Sequence, residues 1–296
     1  MYQRILSTLL LTVLLQPVAK AQAPKYSNEF LAIGVGARAL AMSGAYCGLT
    51  DDVTSGYWNP AGLAKVKKNL QLTAMHNEYF AGIAKFDYGA MATPIDASRT
   101  IGVSIIRFAV DDIINSTELI DKDNNIDYDK LKTFSAADYG FLFSYAQVLK
   151  RTGLSIGGNV KIIHRKAGEF AKAWGFGIDL GLQYEKGPWH FGAVGKDITS
   201  TFNAWTYNTE NLKTVFAQTG NEIPENGLEI TLPRLITGTG YKTHLAKKIS
   251  LNTELDFDIT FDGKRNVLIK SDPVSIDPKL GTEVGYDDIE IGRAHV

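Results

Sequence analysis

From Asn69 to Tyr286 the chain alternates apolar and polar residues with a period of two. Leu70, Leu72 and Ala74 alternate with Gln71, Thr73 and Met75, and Ile101, Val103 and Ile105 with Gly102, Ser104 and Ile106. Tyr139, Phe141, Phe143 and Tyr145 share one side of a run, and Leu154, Ile156, Val160 and Ile162 one side of the next, opposite Ser155, Gly157, Asn159 and Lys161. The longest alternation sets Trp174, Phe176, Ile178, Leu180, Leu182 and Tyr184 against Gly175, Gly177, Asp179, Gly181 and Gln183. Another sets Ile249, Leu251, Leu255, Phe257, Ile259 and Phe261 against Ser250, Asn252, Glu254, Asp256, Asp258 and Thr260. Each run reads as a strand. Weaker runs near 83–92, 188–198, 230–242 and 278–286 bring the expected count to about ten.

Alternation alone fits a soluble sandwich as well as a membrane barrel, and length separates them. Globular strands run to roughly five or six residues, whereas several of these keep the pattern for about ten or more. Trp174 and Tyr184 lie roughly 33 Å apart along an extended strand. Tilted by about 40°, that strand covers roughly 25 Å of the barrel axis, the height of the apolar band between two aromatic girdles. The opposite side carries Gly, Ser, Asn, Asp and Gln in place of the long Lys and Glu side chains of open surfaces, which suits a confined polar lumen. Short turns at 96–98, 150–153 and 185–188 and long loops at 110–134 and 199–229 predict one rim of each kind. The fold class expected is an all-β, transmembrane antiparallel barrel.

Residues 31–66 lack this period. Ala- and Gly-rich Leu31–Tyr46, then Asp51-Asp52 and Tyr57-Trp58-Asn59-Pro60-Ala61-Gly62-Leu63, mix helix formers with turn formers and predict short helical turns, closed by Lys65, Lys67 and Lys68. Upstream, Arg4 is followed by the apolar stretch Ile5–Leu15 and by Ala19-Lys20-Ala21, the pattern of a secretory signal peptide with the mature chain starting at Gln22. The stretch is too short to span a bilayer. At the other end, the last six residues, Ile291–Val296, resemble a translated sequencing adapter, and the natural protein is expected to continue further.

Composition narrows the class. Hydrophobic residues make up 45% and charged residues 21% of 296. Nothing after the N-terminus supplies the roughly 20 consecutive apolar residues of a spanning helix. With a net charge of -1, no basic field exists to attract nucleic acid. The 28 glycines, 13 tyrosines, 14 phenylalanines and 4 tryptophans suit tight turns and aromatic girdles.

Signs of enzymatic or cofactor chemistry fail on spacing. His76, His164, His190, His244 and His295 are scattered, Gly34-Val35-Gly36 lacks a third glycine and a preceding strand, and no Gly-x-Ser-x-Gly occurs. Cys47, the only cysteine, reads as a small packed residue. The acidic loop from Asp121 to Asp129 places Asp121, Asp123, Asn125, Asp127 and Asp129 at alternate positions, as a calcium loop would. Ile126 stands where such a loop needs glycine and Lys132 where it needs the bidentate Glu, so a solvated loop is favoured. No catalytic, metal or cofactor site is expected. The remaining polar feature is on the inner face, where Lys161, Asp179, Glu254, Asp256 and Asp258 are expected, with Arg165, to pair with one another and with the plug. Cation preference in a pore is the sharper alternative.

Phe30–Val66, FLAIGVGARALAMSGAYCGLTDDVTSGYWNPAGLAKV, closely resembles the N-terminus of the PorV/PorQ family of outer-membrane proteins, and more distantly the hatch of FadL-type transporters. The matching positions are Gly36, Ala37, Arg38, Ala39, Leu40, Gly44, Ala45, Asp51, Asp52, Trp58, Asn59, Pro60, Ala61 and Gly62. The resemblance implies a FadL-like barrel of about fourteen strands at full length, with an N-terminal plug, in the outer membrane of a Gram-negative bacterium. It implies a binding, shuttle or scaffold role in type IX secretion, with the translocon, the attachment complex and secreted cargo as partners. The alternative is a FadL-like transporter or porin for hydrophobic or small solutes, and a third reading is a soluble periplasmic binding module. The division expected is 1–21 signal peptide, 22–68 plug, 69–290 barrel and 291–296 tail. A barrel that wide is an open channel unless something fills it, and segment 31–64 is compact enough to do so. Phe202, Trp205, Tyr207 and Phe216 in the second long loop are candidate anchors for partner proteins.

Overall fold

The computed structural model describes residues 27–295 apart from 68, 118, 120–124, 150–152, 210–212, 214–221, 223–224 and 288. The signal peptide, Asp121, Asp123 and Phe216 lie outside the described residues. Thirteen strand segments form one antiparallel sheet: β1 (Gln71–Tyr79), β2 (Ala84–Pro94), β3 (Arg99–Asn115), β4 (Lys132–Leu149), β5 (Leu154–Ala167), β6 (Ala171–Lys186), β7 (Trp189–Lys196), β8 (Phe202–Tyr207), β9 (Gly227–Ile230), β10 (Arg234–Ala246), β11 (Ile249–Thr260), β12 (Ser275–Tyr286) and β13 (Ile289–His295). Neighbours follow chain order in a meander, with one elaboration. β6 pairs with β7 at Leu180–Lys186 and with β8 at Ala171–Phe176, so β7 and β8 are two halves of one long stave. β9 and β10 are the two halves of the next, pairing with β8 and β7 respectively.

The sheet therefore has eleven staves against the ten expected, and two of the sequence expectations need correction. The long loop placed at 199–229 is largely stave, because β8 and β9 extend the wall, and the loop at 110–134 shrinks to 116–131 because β3 and β4 run on past the alternating core of each. Alternation fades there, so periodicity underestimates the strand ends. The rims divide less cleanly than expected. Turns 95–98, 187–188 and 247–248 lie at one rim, and the other holds both the long 261–274 connection and the short turns 80–83 and 168–170. Among the described residues β1 and β13 do not pair with each other.

The polarity of the two faces is inverted relative to a water-soluble protein. On β6, Trp174, Phe176, Leu180, Leu182 and Tyr184 are exposed, while Asp179 and Gln183 between them are buried. Leu72, Met91, Ile101, Ile105, Phe143, Leu255 and Phe257 stand out from other staves, and Ser104, Ser144, Asn159, Lys161, Glu254 and Asp256 point inward. Burying a Leu or Phe contributes about 1.5–3 kcal/mol in water, and a soluble sheet of this composition would turn these residues inward. Lipid on the outside removes that penalty, and the pattern is that of a membrane-spanning barrel. Aromatic clusters mark both edges of the apolar band. Trp189 packs edge-on to Tyr241 (4.8 Å between centroids) near the short-turn rim, and Trp174 lies 4.3 Å from the His164 ring toward the other.

Candidate functional site

The lumen is filled by the chain's own N-terminal segment, and the bonds between the two define the site. Entering at the long-loop rim, Ser27 Oγ donates to Glu229 (2.6 Å) and Glu29 pairs with Arg265 (2.8 Å). The segment leaves at the short-turn rim, where Lys65 pairs with Glu185 on β6 (2.5 Å), and so it traverses the whole barrel.

Its fold is a series of short helical turns, as the mixture of helix and turn formers predicts: Glu29–Ala32, Ala37–Ala41, Ser55–Trp58 and Pro60–Lys65. Gly36 (φ 78°) opens the second and Gly44 (φ 72°) follows it, both in conformations that glycine adopts freely. Asn59 caps the last turn. Its Oδ1 accepts from the Ala61 amide (3.2 Å), with Pro60 at the first helical position. The same side chain donates to Cys47 O (2.9 Å) and to Leu182 O on β6 (3.0 Å), so the cap also ties plug to wall. Asp52 Oδ1 accepts from the Thr54 amide (2.7 Å) in a local turn, and Trp58 Nε1 donates to Val35 O (2.9 Å). Arg38, at the start of the helix opened by Gly36-Ala37, gathers Glu283 of β12 (2.9 Å), Asp51 (3.2 Å) and the Tyr46 hydroxyl (2.9 Å). Asp51 in turn reaches Lys242 on β10 (3.4 Å).

The tightest anchorage is on β11. Four successive plug amides meet two carboxylates. Tyr46 N and Cys47 N donate to Asp256 Oδ2 (2.9 and 3.0 Å), Leu49 N donates to Glu254 Oε2 (3.0 Å), and Gly48 N donates to Glu254 Oε1. Consecutive N–H groups facing one way form an anion-binding concavity, which the wall here fills with its own side chains. Gln183 completes the clamp by donating to Cys47 O and Thr50 O (3.0 Å each). Cys47 is buried at the centre of this arrangement, where desolvation first, then the nearby Asp256 and Glu254 charges, push its thiol well above the usual range.

Inward-facing glycines let the plug backbone press on the wall. A Cβ at Gly157 would stand 2.5 Å from Ala61 N, one at Gly192 2.5 Å from Cys47 O, and one at Gly281 2.5 Å from Met42 O. Within the plug a Cβ at Gly62 would stand 2.5 Å from Thr50 O.

The lumen residues expected from alternation are all inside, each with a partner. Lys161 pairs with Asp179 (2.8 Å) and Asp197, and Asp258 is shared by Arg234 (3.4 Å) and Lys279 (3.2 Å). Arg165 pairs with Asp138 and Glu229. The aromatic set of the second long loop is not a common surface. Phe202 points outward from β8, whereas Trp205 turns inward, donating to Glu229 (2.6 Å) beneath the Arg165 guanidinium (5.0 Å), and stacks with Tyr207. Strand alternation, absent from a loop, is what separates them.

Two cavities remain beside the plug. One, of about 50 Å³, lies toward the long-loop rim between Glu29, Leu31, Leu142, Phe261 and Arg265. The other, of about 130 Å³, lies in mid-lumen between Trp58, Ile236, Asp256, Asp258 and Lys279. Ala32, Tyr57, Lys196 and Arg234 line both, and the last three bring the polar groups between them. Lys196 and Arg234 went unnoticed in the sequence because they lie in two of the weaker runs, 188–198 and 230–242. Their inward positions follow from alternation once β7 and β10 are placed.

No family model and no curated protein matches the chain. Among solved structures it is similar to the CymD monoaromatic hydrocarbon channel, at 14% identity over 86% of this chain and 80% of that one, with a TM-score of 0.48. It is similar also to a Pseudomonas aeruginosa FadL homologue, at 11% identity over 81% and 73%, with a TM-score of 0.43. The barrel and plug described above stand on their own strands and bonds.

Proposed function

We propose that this chain is an outer-membrane conduit for small solutes, exported through the general secretory pathway and held closed by its plug in this conformation. The observation that carries the reading is the pair of cavities in series along one side of the plug, separated by Tyr57, Lys196 and Arg234. The plug packs an apolar cluster of Phe30, Val35, Val53 and Leu63 against Phe86, Ile106, Leu142 and Ile163 of β2–β5 and is fixed by polar bonds on the β11–β12 side, so weakening the polar side alone leaves it seated on one wall. The monoaromatic hydrocarbons of the CymD channel belong to that protein, and the charged lumen here favours polar or amphipathic solutes. Planar-bilayer recording tests the proposal. The native chain is expected to show low conductance, and the Glu254→Gln/Asp256→Asn variant, with its β11 anchorage weakened, a clear increase. Equal, unmeasurable conductance in both contradicts the conduit.

A second reading, a secretion-associated scaffold that binds or shuttles secreted proteins, is supported by the resemblance of Phe30–Val66 to the PorV/PorQ N-terminus and by the density of bonds that hold the plug. It predicts no solute flux from either form, and recovery of translocon or attachment-complex proteins after crosslinking in outer membranes. A crosslinked pull-down free of them counts against it.

A further inference from the structure

Among the described residues the lumen's cations are well matched but in one place. Lys161, Arg165, Arg38 and Arg265 each face two carboxylates of their own. In the mid-lumen cavity three cations, Lys196, Arg234 and Lys279, face Asp256 and Asp258. Asp256 Oδ2 is committed to the amides of Tyr46 and Cys47, and Asp258 serves both Arg234 and Lys279. Lys196 is 8% exposed, and among the described residues no carboxylate lies within ion-pair distance of it. Its Nζ rests 4.6 Å from the Tyr57 ring centroid. Directly across the β7–β10 ladder its partner is Arg234, another inward cation. Like charges in opposed positions repel, and Asp179 and Asp258, the carboxylates nearest Lys196, are each engaged by other cations, so this buried ammonium has an aromatic face but no ion pair of its own.

We infer that the mid-lumen cavity is a binding site for the oxyanion group, carboxylate or phosphate, of a compact solute, with Lys196 and Arg234 as its principal ligands. The inference rests on the conduit reading and adds its selectivity. An oxyanion between the two side chains removes their repulsion and gives Lys196 charge-assisted partners. Trp58, Leu40 and Ile236 supply an apolar wall on the far side. The size sets an upper bound: about 130 Å³ is a little below the roughly 150 Å³ of an engineered cavity that holds benzene, so phosphate or a short-chain carboxylate fits and an aromatic acid or a long acyl chain does not.

Equilibrium dialysis of the detergent-solubilised full chain tests this, with propionate and inorganic phosphate as probes and 1-propanol as the uncharged control. Propionate is expected to bind at least about tenfold more tightly than 1-propanol, the range of one charge-assisted bond. Lys196→Met, which keeps length but not charge, is expected to remove that preference, and Lys196→Arg to keep it. The heat-dependent shift in gel mobility of a folded barrel shows that each variant has assembled. Displacement of propionate by phosphate supports a site that reads the oxyanion alone, and its absence supports one that also reads the alkyl part. Equal binding of propionate and 1-propanol, or a folded Lys196→Met that binds propionate as the native chain does, overturns the inference. Binding without conductance would instead locate the failure in the conduit reading, because dialysis requires no transport.

Discussion

The plug meets two walls of the barrel in different ways. Against β5, β6 and β7 it is held by shape, with glycines at 157 and 192 admitting its backbone, Gly181 admitting the Asn59 and Pro60 side chains, and neutral amides of Asn159, Gln183 and Asn59 bridging what remains. Against β11 and β12 it is held by charge, through Glu254, Asp256 and Glu283. The first contact rests on close approach, whereas the second, which has its own close approach at Gly281, depends on ionic partners as well. The lesson is a division of labour in which glycine sets how close the plug comes and carboxylates satisfy the amides its short turns leave unpaired.

Substitutions separate the two contacts in graded ways. The largest effect is expected outside both, as a baseline. Leu180→Arg on the lipid face of β6 should reduce folding into bilayers by about 2–4 kcal/mol, measured by denaturant titration in liposomes. Gly192→Val puts a side chain where Cys47 backbone lies and should cost about 2–3 kcal/mol by overpacking, while Gly89→Val, on β2 with open space around it and no positive φ, should leave the plug seated. Glu254→Gln retains the volume and replaces an acceptor by a donor facing the Gly48 or Leu49 amide, so a loss of about 2 kcal/mol is expected. The seated plug should then become accessible to protease with the barrel intact. Asn59→Ala removes a cap, one bond within the plug and one to the wall, and is expected to cost about 1–2 kcal/mol, read from the same titration.

Most of the wall was legible in the sequence because a strand exposed to lipid on one side and to a polar lumen on the other writes its environment into every second residue. Trp174 to Tyr184 is the clearest case. The plug was legible from Gly36, Asn59 and Pro60, residue types that a turn demands, but its bonds were not. Nothing local in Glu254 or Asp256 says that they meet residues 46–49, some two hundred positions away. Staves broken in the middle were also hidden. Residues 197–201 and 231–233 interrupt the alternation at the same level, which made β8 and β9 look like loop and placed Trp205 on the wrong side. Lys196 and Arg234 were concealed for the same reason, since each sits at a break.

Plug and barrel together require that residues 46–49 be clamped inside a lipid-facing wall, and Cys47, the only cysteine in the chain, reports on that clamp directly. Labelling of the native, heat-modifiable protein by a membrane-impermeant maleimide reads it out. The thiol, buried and held in its protonated form, is expected to be protected, to react fully once the barrel is boiled and to react partly in the Glu254→Gln/Asp256→Asn variant. Rapid labelling of Cys47 in the folded native chain would show that no such clamp exists.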